Sequence, residues 1–483
     1  MRSLLLELEL SPGLGRRAAV ERALRRAVRS GQLHEGARLP SSRSLANDLG
    51  LARATVVAAY EQLVAEGYLI AARGSGTTVG SVRQSPPSSL RRHPVARPDQ
   101  RLDFIPGEPD RSSFPRRAWL SAVNEALKVS PDELFGYGDR RGRHELRNSL
   151  TDYLSRTRAV VVEPERVSIF GGFTNSLSFL AETFRRLGID RIGIEDPGMP
   201  LHARLLTDAG LTVVPIPVDE QGISVVHLEG EELKAVLVTP AHEYPLGMAM
   251  SPNRRSALLS WARRNAAWIV EDDYDGEFRY DRQPLGALQG LGSDRVIYAG
   301  TASKSLAAGL RIGWLVLPTD LVEAVAEVKG RRGGVSNLDQ AALSQLIDGG
   351  GLDRHVARMR RTYRQRQGYL LGALRDAAPW FDVTGIAAGL HVTAYLSEAA
   401  MGEDQLVDFA SRRSFALWGL RQHRFAARHA SESIDRGGIV LGFSRSTDRA
   451  FPHAVGELVA LLQDAGRSEK GALISPSTSS AVR

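Results

Sequence analysis

The stretch from Asp103 to about Gly466 alternates short, strand-like apolar runs with segments whose apolar residues recur at helical spacing. Each apolar run ends in small or polar residues, and the clearest are RVSIFGG, RIGIEDPG, AVLVTPA, AWIVEDD and VIYAGTA. Strands that alternate with helices form a largely parallel sheet, and ligands bind outside the carboxyl ends of its strands. The pattern therefore predicts a large α/β domain, and the polar residues that follow the strands are the first candidates for a functional site.

The first 103 residues carry all of the excess positive charge. They contain 16 arginines and nine acidic residues, whereas basic and acidic residues balance over the rest of the chain, so the formal net charge of +7 lies at this end. Such asymmetry favours a partner that carries phosphates, although a basic surface alone more often serves only solubility.

Three helices and a hairpin are expected within this basic segment. Helical spacing of apolar residues predicts a first helix from Arg16 to about Gly31. A second, short helix follows Pro40, where Ser41 or Ser42 can cap it, and Gly50 ends it. The segment LARATVVAAYEQLVAEGY predicts a longer third helix, and LIAARGSGTTVG predicts two strands around an RGSG turn. Together these elements indicate a winged helix-turn-helix.

The segment LPSSRSLANDLGLARATVVAAYEQLVAEGYLIAARGSGTTV resembles the GntR-type winged-helix domain along its whole length. The resemblance implies binding to double-stranded operator DNA. The second helix would contact phosphates, the third would reach phosphates and base edges, and the wing would approach the minor groove; the residues are, in that order, Ser42 and Arg43, Arg53 and Thr55, and Arg73 and Gly74. The alternative is that Arg43 and Arg53 only solvate the ends of helices.

Two segments lack apolar periodicity. Residues 81–102 are rich in proline, serine and arginine, which predicts a flexible linker, and residues 468–483 are expected to form a disordered tail. The expected domains are therefore residues 1–80 and 103–467. The chain has no cysteine and no apolar run long enough for a signal peptide or a membrane span. We expect a cytoplasmic protein without disulfides, membrane contact or a bound metal.

Lysine is rare in this chain, which has five, and Lys304 lies in GTASKSLAAGLRIG just beyond a predicted strand. A lysine can lose its proton and form a Schiff base, whereas an arginine cannot. Asp272 follows another strand, where a carboxylate can hold the proton of a pyridine nitrogen, and Tyr274 can donate to a phenolate oxygen. Phosphate-binding chemistry surrounds Lys304 in the form of hydroxyls, a guanidinium and the backbone N–H groups that open the helix in FGGFTN; the residues are Thr301, Ser303, Arg311, Gly172 and Phe173.

The motifs FGYGDRRGRHELR, EDPGMP, TPAHEYPLG, EDDYDGEFRY and GTASKSLAAGLRIG resemble, in order, those of the fold type I aminotransferases, which use pyridoxal 5′-phosphate. The resemblance implies that this cofactor is carried by Lys304. It also implies that Tyr137 reaches the phosphate from the neighbouring subunit of an obligate dimer, with a buried core tyrosine as the alternative. His242 and Tyr244 correspond to positions near the cofactor ring and its phenolate oxygen, where packing is the alternative role.

Two positions depart from the family pattern. Met199 in EDPGMP stands where the family usually stacks an aromatic side chain on the pyridine ring. Ile439 and Val440 stand about where the family has the arginine that clamps a substrate carboxylate, and three other arginines lie out of register, namely Arg424, Arg436 and Arg445. The half of the site that would hold an amino acid is therefore less complete than the half that would hold the cofactor.

A GntR-type winged helix ahead of an aminotransferase-like domain is the layout of the MocR/GabR family of bacterial regulators, and the resemblance extends from about Leu10 to Gly466. It implies a transcription factor that senses pyridoxal phosphate, free or as an aldimine with an amino acid or amine, in a head-to-tail, domain-swapped homodimer. Genes of vitamin B6 or amino-compound metabolism would be its targets. The alternatives are an active aminotransferase that also binds DNA and a DNA-binding scaffold with a vestigial pocket.

Overall fold

The computed structural model describes residues 15–72, 76–81, 102–129, 132–281, 285–330, 332, 334–377, 380–397, 401–425 and 436–473. The chain separates into two units, Met1–Arg97 and Pro98–Arg483. Within the described ranges, no helix is both long enough and apolar enough to cross a membrane.

The first unit contains the three helices and the hairpin that the sequence predicts. They are α1 Arg16–Arg29, α2 Ser42–Asp48, α3 Arg53–Ala65, β1 Leu69–Ala72 and β2 Gly76–Val79, and the two strands pair antiparallel. Ser41 is the N-cap of α2, because its hydroxyl oxygen accepts a hydrogen bond from the N–H of Ser44 at 3.1 Å. This bond satisfies one of the backbone donors that a helix leaves free at its start.

The core of this unit forms where the helices meet the hairpin. Leu24 of α1 and Val56 and Leu63 of α3 have no exposed surface, and they pack with Leu69 and Val79 from the two strands. These are the apolar positions that recur at helical spacing in the sequence, and their burial leaves the arginines of the same helices on the outside.

The second unit contains twelve helices and fourteen strands within the described residues. The helices are α4 Arg116–Val129, α5 His144–Arg158, α6 Phe173–Arg186, α7 Pro200–Asp208, α8 Val225–Glu229, α9 Pro252–Arg264, α10 Ala302–Ser305, α11 Thr319–Lys329, α12 Asn337–Asp348, α13 Gly351–Ala377, α14 Glu403–Arg412 and α15 Phe451–Leu473. The strands are β3 Leu102–Asp103, β4 Val167–Phe170, β5 Arg191–Asp196, β6 Thr212–Asp219, β7 Gly222–Ile223, β8 Ala235–Val238, β9 Trp268–Asp272, β10 Val296–Thr301, β11 Gly313–Val316, β12 Phe381–Thr384, β13 His391–Leu396, β14 Phe415–Ala416, β15 Trp418–Gly419 and β16 Gly438–Gly442.

Eight of these strands form one sheet in the order β4-β11-β10-β9-β8-β5-β6-β7. The pairs from β10 through β9, β8 and β5 to β6 are parallel, whereas β11 runs antiparallel to both of its neighbours. The five apolar runs singled out in the sequence are β4, β5, β8, β9 and β10. Parallel strands bring their carboxyl ends to one edge, so the polar residues after β5, β8, β9 and β10 meet there.

A second, four-stranded antiparallel sheet has the order β12-β13-β16-β15, and β14 pairs with β3. Apolar residues of β13 and β16 share a core with α13 and α15, which brings this smaller sheet against the helices near the end of the chain.

The structure describes only small parts of the segments predicted as linker and tail. Residues 82–101 and 474–483 lie outside the described residues, and so do Arg73 and Gly74 of the predicted wing. Helix α15 runs to Leu473, six residues into the segment predicted as a tail.

Candidate functional site

A cavity of about 200 Å³ lies at the carboxyl ends of the central parallel strands. Glu195 and Asp272 line it from the ends of β5 and β9, Thr301 lines it from the end of β10, and Thr239 follows β8. Nine of the twelve residues predicted for cofactor binding line this cavity, namely Phe173, Met199, Tyr244, Asp272, Tyr274, Thr301, Ser303, Lys304 and Arg311.

Lys304 lies in the short helix α10, which begins directly after β10. Thr301 caps this helix by accepting a hydrogen bond from the N–H of Ser303 at 3.1 Å. The Lys304 Nζ donates to the backbone carbonyl of Gly107. Burial lowers the pKa of the Lys304 amine, and the carboxyl group of Asp272 partly opposes this effect. The residue is therefore a half-buried amine, held by the Gly107 carbonyl, with an increased fraction of its unprotonated, nucleophilic form.

Asp272 and Tyr274 lie at and just beyond the end of β9. Burial raises the pKa of Asp272 well above its ordinary value, and the nearby Lys304 acts in the opposite direction. A buried carboxyl group of this kind is stabilised in its charged form by a cationic partner. The Tyr274 hydroxyl donates to the backbone carbonyl of His242 at 3.1 Å, and burial raises its pKa well above the ordinary value, so it stays protonated and able to donate.

The part of the cavity near Arg311 and the start of α6 can hold an anion. Gly172 caps helix α6 with φ at 88°, and a Cβ there would lie 3.3 Å from the Cζ of Arg311, so glycine allows the guanidinium to approach the backbone. Arg311 also donates to the hydroxyl of Thr174 at 3.1 Å. Free N–H groups at the start of a helix together with a guanidinium favour a phosphate.

Two buried hydroxyl groups that line the cavity have no hydrogen-bond partner within the described structure. They are those of Ser303, beside Lys304, and Tyr244. A buried, unpaired hydroxyl costs on the order of 1–3 kcal/mol, which a ligand with acceptor atoms would offset. The polar groups of the lining include the amine of Lys304, the carboxyl group of Asp272, six side-chain hydroxyls and the guanidinium of Arg311. This set fits a phosphorylated pyridine aldehyde.

His242 does not itself line the cavity but lies behind Tyr274. Its Nδ1 lies 3.0 Å from Asp275 and 3.1 Å from the Tyr274 hydroxyl. His391 of β13 does line the cavity, and its Nε2 contacts the carbonyl of Pro245 at 3.1 Å. The ring nitrogens of both histidines and the Asp275 carboxylate lie within 4.8 Å of one another, yet these hydrogen bonds already engage them. His242 therefore acts on the site through Tyr274.

Sequence reasoning missed five polar or ionisable residues that line the cavity, namely Thr174, Glu195, His202, Thr239 and His391. Glu195 and Thr239 could have been found, because both follow strand-like runs in the sequence. Glu195 accepts hydrogen bonds from the N–H and hydroxyl of Thr239 at 2.9 and 2.7 Å, and burial raises its pKa to about 7. His202 packs edge-on against Phe173, and burial lowers its pKa to about 3.

Part of the cavity lining is apolar, and this part, here called the apolar wall, comprises Pro106, Ile194, Met199, Leu201, Leu237 and Leu390. Met199 lines it from the start of α7, and Lys304 and Arg311 supply the charged nitrogens among the described lining residues. Ile439 and Val440 are buried in apolar cores. The arginines noted as out of register bond elsewhere, Arg436 to Asp382, Arg445 to Asp103 and Arg424 to the Arg436 carbonyl.

Tyr137 lies outside the cavity of its own chain. Its side chain is 96% exposed, so the alternative of a buried core tyrosine is wrong for this chain. The physical reason is local. Gly136 and Gly138 flank it, and Gly138 takes φ at +70°, which turns the backbone so that the side chain between them points away from the core.

The predicted DNA contacts lie at the starts of α2 and α3. Arg43 and Arg53 are exposed, and neither guanidinium has a hydrogen bond or an ion pair within the described part of the chain. Ser42 and Thr55 are partly buried beside them. Unpaired arginines at a helix N-terminus, where backbone N–H groups are also free, are suited to phosphate oxygens.

Comparison with known families assigns both units. Residues 16–79 match the model for bacterial regulatory proteins of the gntR family, and residues 106–414 match the model for class I and II aminotransferases. Among solved structures, an archaeal alanine:glyoxylate aminotransferase matches with a TM-score of 0.68 and 25% identity, over 75% of this chain and 91% of that one. LysN, an α-aminoadipate aminotransferase from Thermus thermophilus, gives 0.67 at 22% identity, over 77% and 94%, which shows the fold alone.

Two relatives that cover most of this chain are named as regulators. The pyridoxine biosynthesis transcriptional regulator PdxR of Corynebacterium glutamicum is 34% identical over 439 residues, which are 90% of this chain and 93% of that protein. The probable rhizopine catabolism regulatory protein MocR of Rhizobium meliloti is 35% identical over 79% of this chain and 81% of its own length. The chain belongs to the MocR-type family of transcriptional regulators, in which a GntR winged helix-turn-helix precedes an aminotransferase-like domain of fold type I.

Proposed function

We propose that this regulator binds an operator in double-stranded DNA through its winged helix and binds pyridoxal 5′-phosphate in its cavity as the sensing ligand. The observation that carries the proposal is the convergence of Lys304, Asp272, Tyr274 and Arg311 on one cavity in a chain that also has a GntR domain. When bound, the cofactor supplies an electrophilic aldehyde, a basic ring nitrogen and a phosphate. Each of these groups has a matching partner among the four residues.

Lys304 would attach the cofactor, and the other residues would orient it. Lys304 supplies the amine for covalent attachment, and its lowered pKa increases the unprotonated fraction that can react. Asp272 would hold a proton at the ring nitrogen, Tyr274 would donate to the ring oxygen, and Arg311 with the start of α6 would bind the phosphate. Met199 would offer the ring an apolar contact without the π-stacking that an aromatic residue gives.

We infer that pyridoxal phosphate itself is the primary ligand, with an amino acid or amine as a possible co-ligand. Support comes from the contrast between the polar, complete cofactor end and the apolar wall around Met199. The names of relatives point to pyridoxine biosynthesis in one case and to catabolism of an amino compound in another. The first agrees better with a site whose cofactor half is the more complete, so control of vitamin B6 genes is the proposed role.

We also infer a homodimer with shared cavities, arranged head to tail. The exposed Tyr137 supports this assembly, because a tyrosine at this position has no contact with its own cavity and could donate to a phosphate bound by a second copy. A symmetric dimer of this kind would also pair two winged helices with two half-sites of an operator.

The proposal is tested by measuring how tightly the protein binds the DNA upstream of its own gene. Fluorescence anisotropy of labelled DNA gives this affinity with and without pyridoxal phosphate. We expect the ligand to change the DNA affinity by roughly 5- to 150-fold, as a coupling of about 1–3 kcal/mol implies. Pyridoxal without phosphate is the matched control and should have little effect. Tight binding of pyridoxal phosphate with no change in DNA affinity would remove the sensing role.

An active aminotransferase that also binds DNA is the second candidate. The amine of Lys304 favours it, because this amine could take a proton from a substrate carbon while Asp272 would hold the ring nitrogen protonated. The apolar wall and the missing carboxylate clamp weigh against efficient turnover.

A further inference from the structure

The exposed Tyr137 is carried by a backbone that the rest of the unit holds in place. Residues 135–141 project from the region between α4 and α5, and both Phe135 and Tyr137 are largely exposed, at 76% and 96%. An exposed aromatic side chain on a mobile loop would lose much entropy when it inserted into a partner, and a fixed backbone reduces that cost. The contacts of this loop therefore determine how well it can present Tyr137.

Asn337, the first residue of α12, contacts the backbone on both sides of Tyr137. Its Nδ2 donates to the carbonyl of Gly136 at 2.7 Å. Its side-chain amide also lies against Gly138, where an added Cβ would be 3.0 Å from Oδ1 and 3.1 Å from Nδ2. The amide of Asn337 thus fixes the peptide before Tyr137 and fills the space beside the glycine after it.

The helix that carries Asn337 is itself well anchored. The hydroxyl of Ser336 caps α12 by accepting from the N–H of Asp339 at 3.2 Å. The helix packs between α4 and α5, and the side chain of Gln340, one turn along, accepts a hydrogen bond from the N–H of Arg143 at 2.8 Å. The position of the Asn337 amide is therefore set by the core of the unit.

The far side of the loop has a second anchor. Asp139 accepts from the N–H of Arg141 at 2.7 Å and from the buried Arg147 at 3.4 Å. The carbonyl of Arg141 accepts from the N–H of Ile169 in β4 at 2.7 Å. The two anchors leave the Tyr137 side chain as the free, outward-pointing part of an otherwise fixed segment.

We propose that Asn337 is the positioning residue that holds Tyr137 ready to enter the phosphate end of the cavity in a second copy of this chain. This inference rests on the proposed dimer with shared cavities. An asparagine suits the task because it combines a donor for the Gly136 carbonyl with a short, flat amide that fits beside the left-handed glycine at 138. Loss of that donor frees the loop and weakens cofactor binding in the partner's cavity, not in the chain's own cavity.

Subunit hybrids test this trans effect. Two differently tagged chains are co-expressed, and hybrids are purified through both tags. The first chain carries Lys304→Ala, so the second chain holds the one covalent site, and that site receives Tyr137 from the first chain. Mass spectrometry measures the fraction of the second chain that keeps pyridoxal phosphate after borohydride reduction. Varying the pyridoxal phosphate concentration gives the half-saturating concentration for that one cavity. This measurement needs no activity and reports one cavity at a time.

Asn337→Ala or the isosteric Asn337→Asp in the first chain should raise the half-saturating concentration roughly fivefold, in line with the loss of one hydrogen bond. The same substitution in the second chain should leave it unchanged. Tyr137→Phe is the reference, with a loss of roughly tenfold expected from a charge-assisted hydrogen bond and only when it is in the first chain.

The failures are distinguishable. If Asn337→Ala weakens binding only when it is in the second chain, or in neither, the positioning role is wrong while a trans effect of Tyr137→Phe keeps the shared cavity. If Tyr137→Phe has no trans effect, or the protein is a monomer, the shared cavity itself is wrong, and the role of Asn337 is wrong with it.

Discussion

The two units place their functional side chains in opposite environments. In the first unit, Arg43 and Arg53 are exposed at the starts of two helices and have no partner within the described residues. In the second unit, Asp272 is buried at the end of β9 and Lys304 is half-buried just beyond β10, and desolvation shifts the pKa of each. One unit keeps its charges in water for a large polyanion, and the other withdraws them from water for a small molecule.

This difference predicts different responses to substitution. Exposed charges interact with DNA through a screened, long-range attraction to which each arginine adds a modest share. Buried groups depend on one another, because each shifts the pKa of its neighbours and an unpaired group is costly. We therefore expect the largest effects from the cavity residues that would hold the cofactor, and smaller, additive, salt-dependent effects from the arginines of the winged helix.

The largest effect is expected for Lys304→Ala, which removes the amine that attaches the cofactor. Covalent retention of pyridoxal phosphate after borohydride reduction should fall to zero, while weaker noncovalent binding through Asp272 and Arg311 remains. Mass spectrometry of intact protein and peptides measures both the loss and the site.

Lys329 is the matched control, because it is a second buried lysine whose pKa burial lowers to about 8. Its Nζ donates to the carbonyl of Ile169 at 2.6 Å, a contact that arginine can also make. Lys329→Arg should keep full covalent labelling at Lys304. Labelling that survives Lys304→Ala and disappears with Lys329→Arg would place the cofactor on Lys329 and refute its assignment to Lys304.

The second prediction concerns the apolar wall around Met199. Without an anchor for a carboxylate, an amino donor in the cavity is poorly oriented for proton removal by Lys304. Poor orientation can cost several kcal/mol of barrier, which is roughly a thousandfold in rate. Conversion of bound pyridoxal phosphate to pyridoxamine phosphate should therefore be slow or undetectable in single-turnover assays.

A panel of amino acids, each matched with the amine that lacks its carboxylate, sharpens this test. Rapid conversion with any member of the panel would promote the enzyme hypothesis over the sensor. A change in DNA affinity with an amino compound that is not converted would support sensing instead.

The sequence allowed prediction of those parts of the site that depend on residues near one another in the chain. Asp272 and Lys304 follow strands directly, so an α/β pattern was enough to bring them to one edge. His391 could not be found in this way, because it reaches the cavity from the smaller sheet by long-range packing. The contact of Asn337 with the Gly136 carbonyl could not be found either, because it joins residues that are distant in sequence.

The third prediction concerns the exposed arginines. Arg43→Ala and Arg53→Ala should each weaken operator binding by about 1–3 kcal/mol, and the double variant should show nearly the sum. Each should also reduce the salt dependence of binding, because one phosphate contact accounts for a slope of roughly 0.9 in a plot of log affinity against log salt.

Arg17→Ala is the control for these variants, since Arg17 is an exposed arginine of the same unit that already pairs with Glu21 at 2.7 Å. It should leave both affinity and slope nearly unchanged. Equal effects from all three arginines would reduce the role of Arg43 and Arg53 to general charge, which was the alternative for these residues.

The smallest effect is expected from the pH dependence of stability at Glu195. Burial raises its pKa to about 7 in the folded protein, from an ordinary value near 4.5. Between these two values the folded state holds a proton that the unfolded state releases, so the free energy of unfolding falls as the pH rises and levels off above about pH 7. Glu195→Gln is neutral throughout and should flatten the curve by about 1 kcal/mol between about pH 6 and about pH 7. Tryptophan fluorescence during urea unfolding measures this pH dependence for the second unit alone, because all six tryptophans follow residue 103.

Glu220→Gln is the exposed control, and it should leave the slope of stability against pH unchanged. Glu243 is also buried with a raised pKa, and Glu195 contributes to the rise. Flattening by Glu243→Gln but not by Glu195→Gln would place the proton on Glu243, and flattening by neither would show that burial around this cavity does not hold a proton at neutral pH.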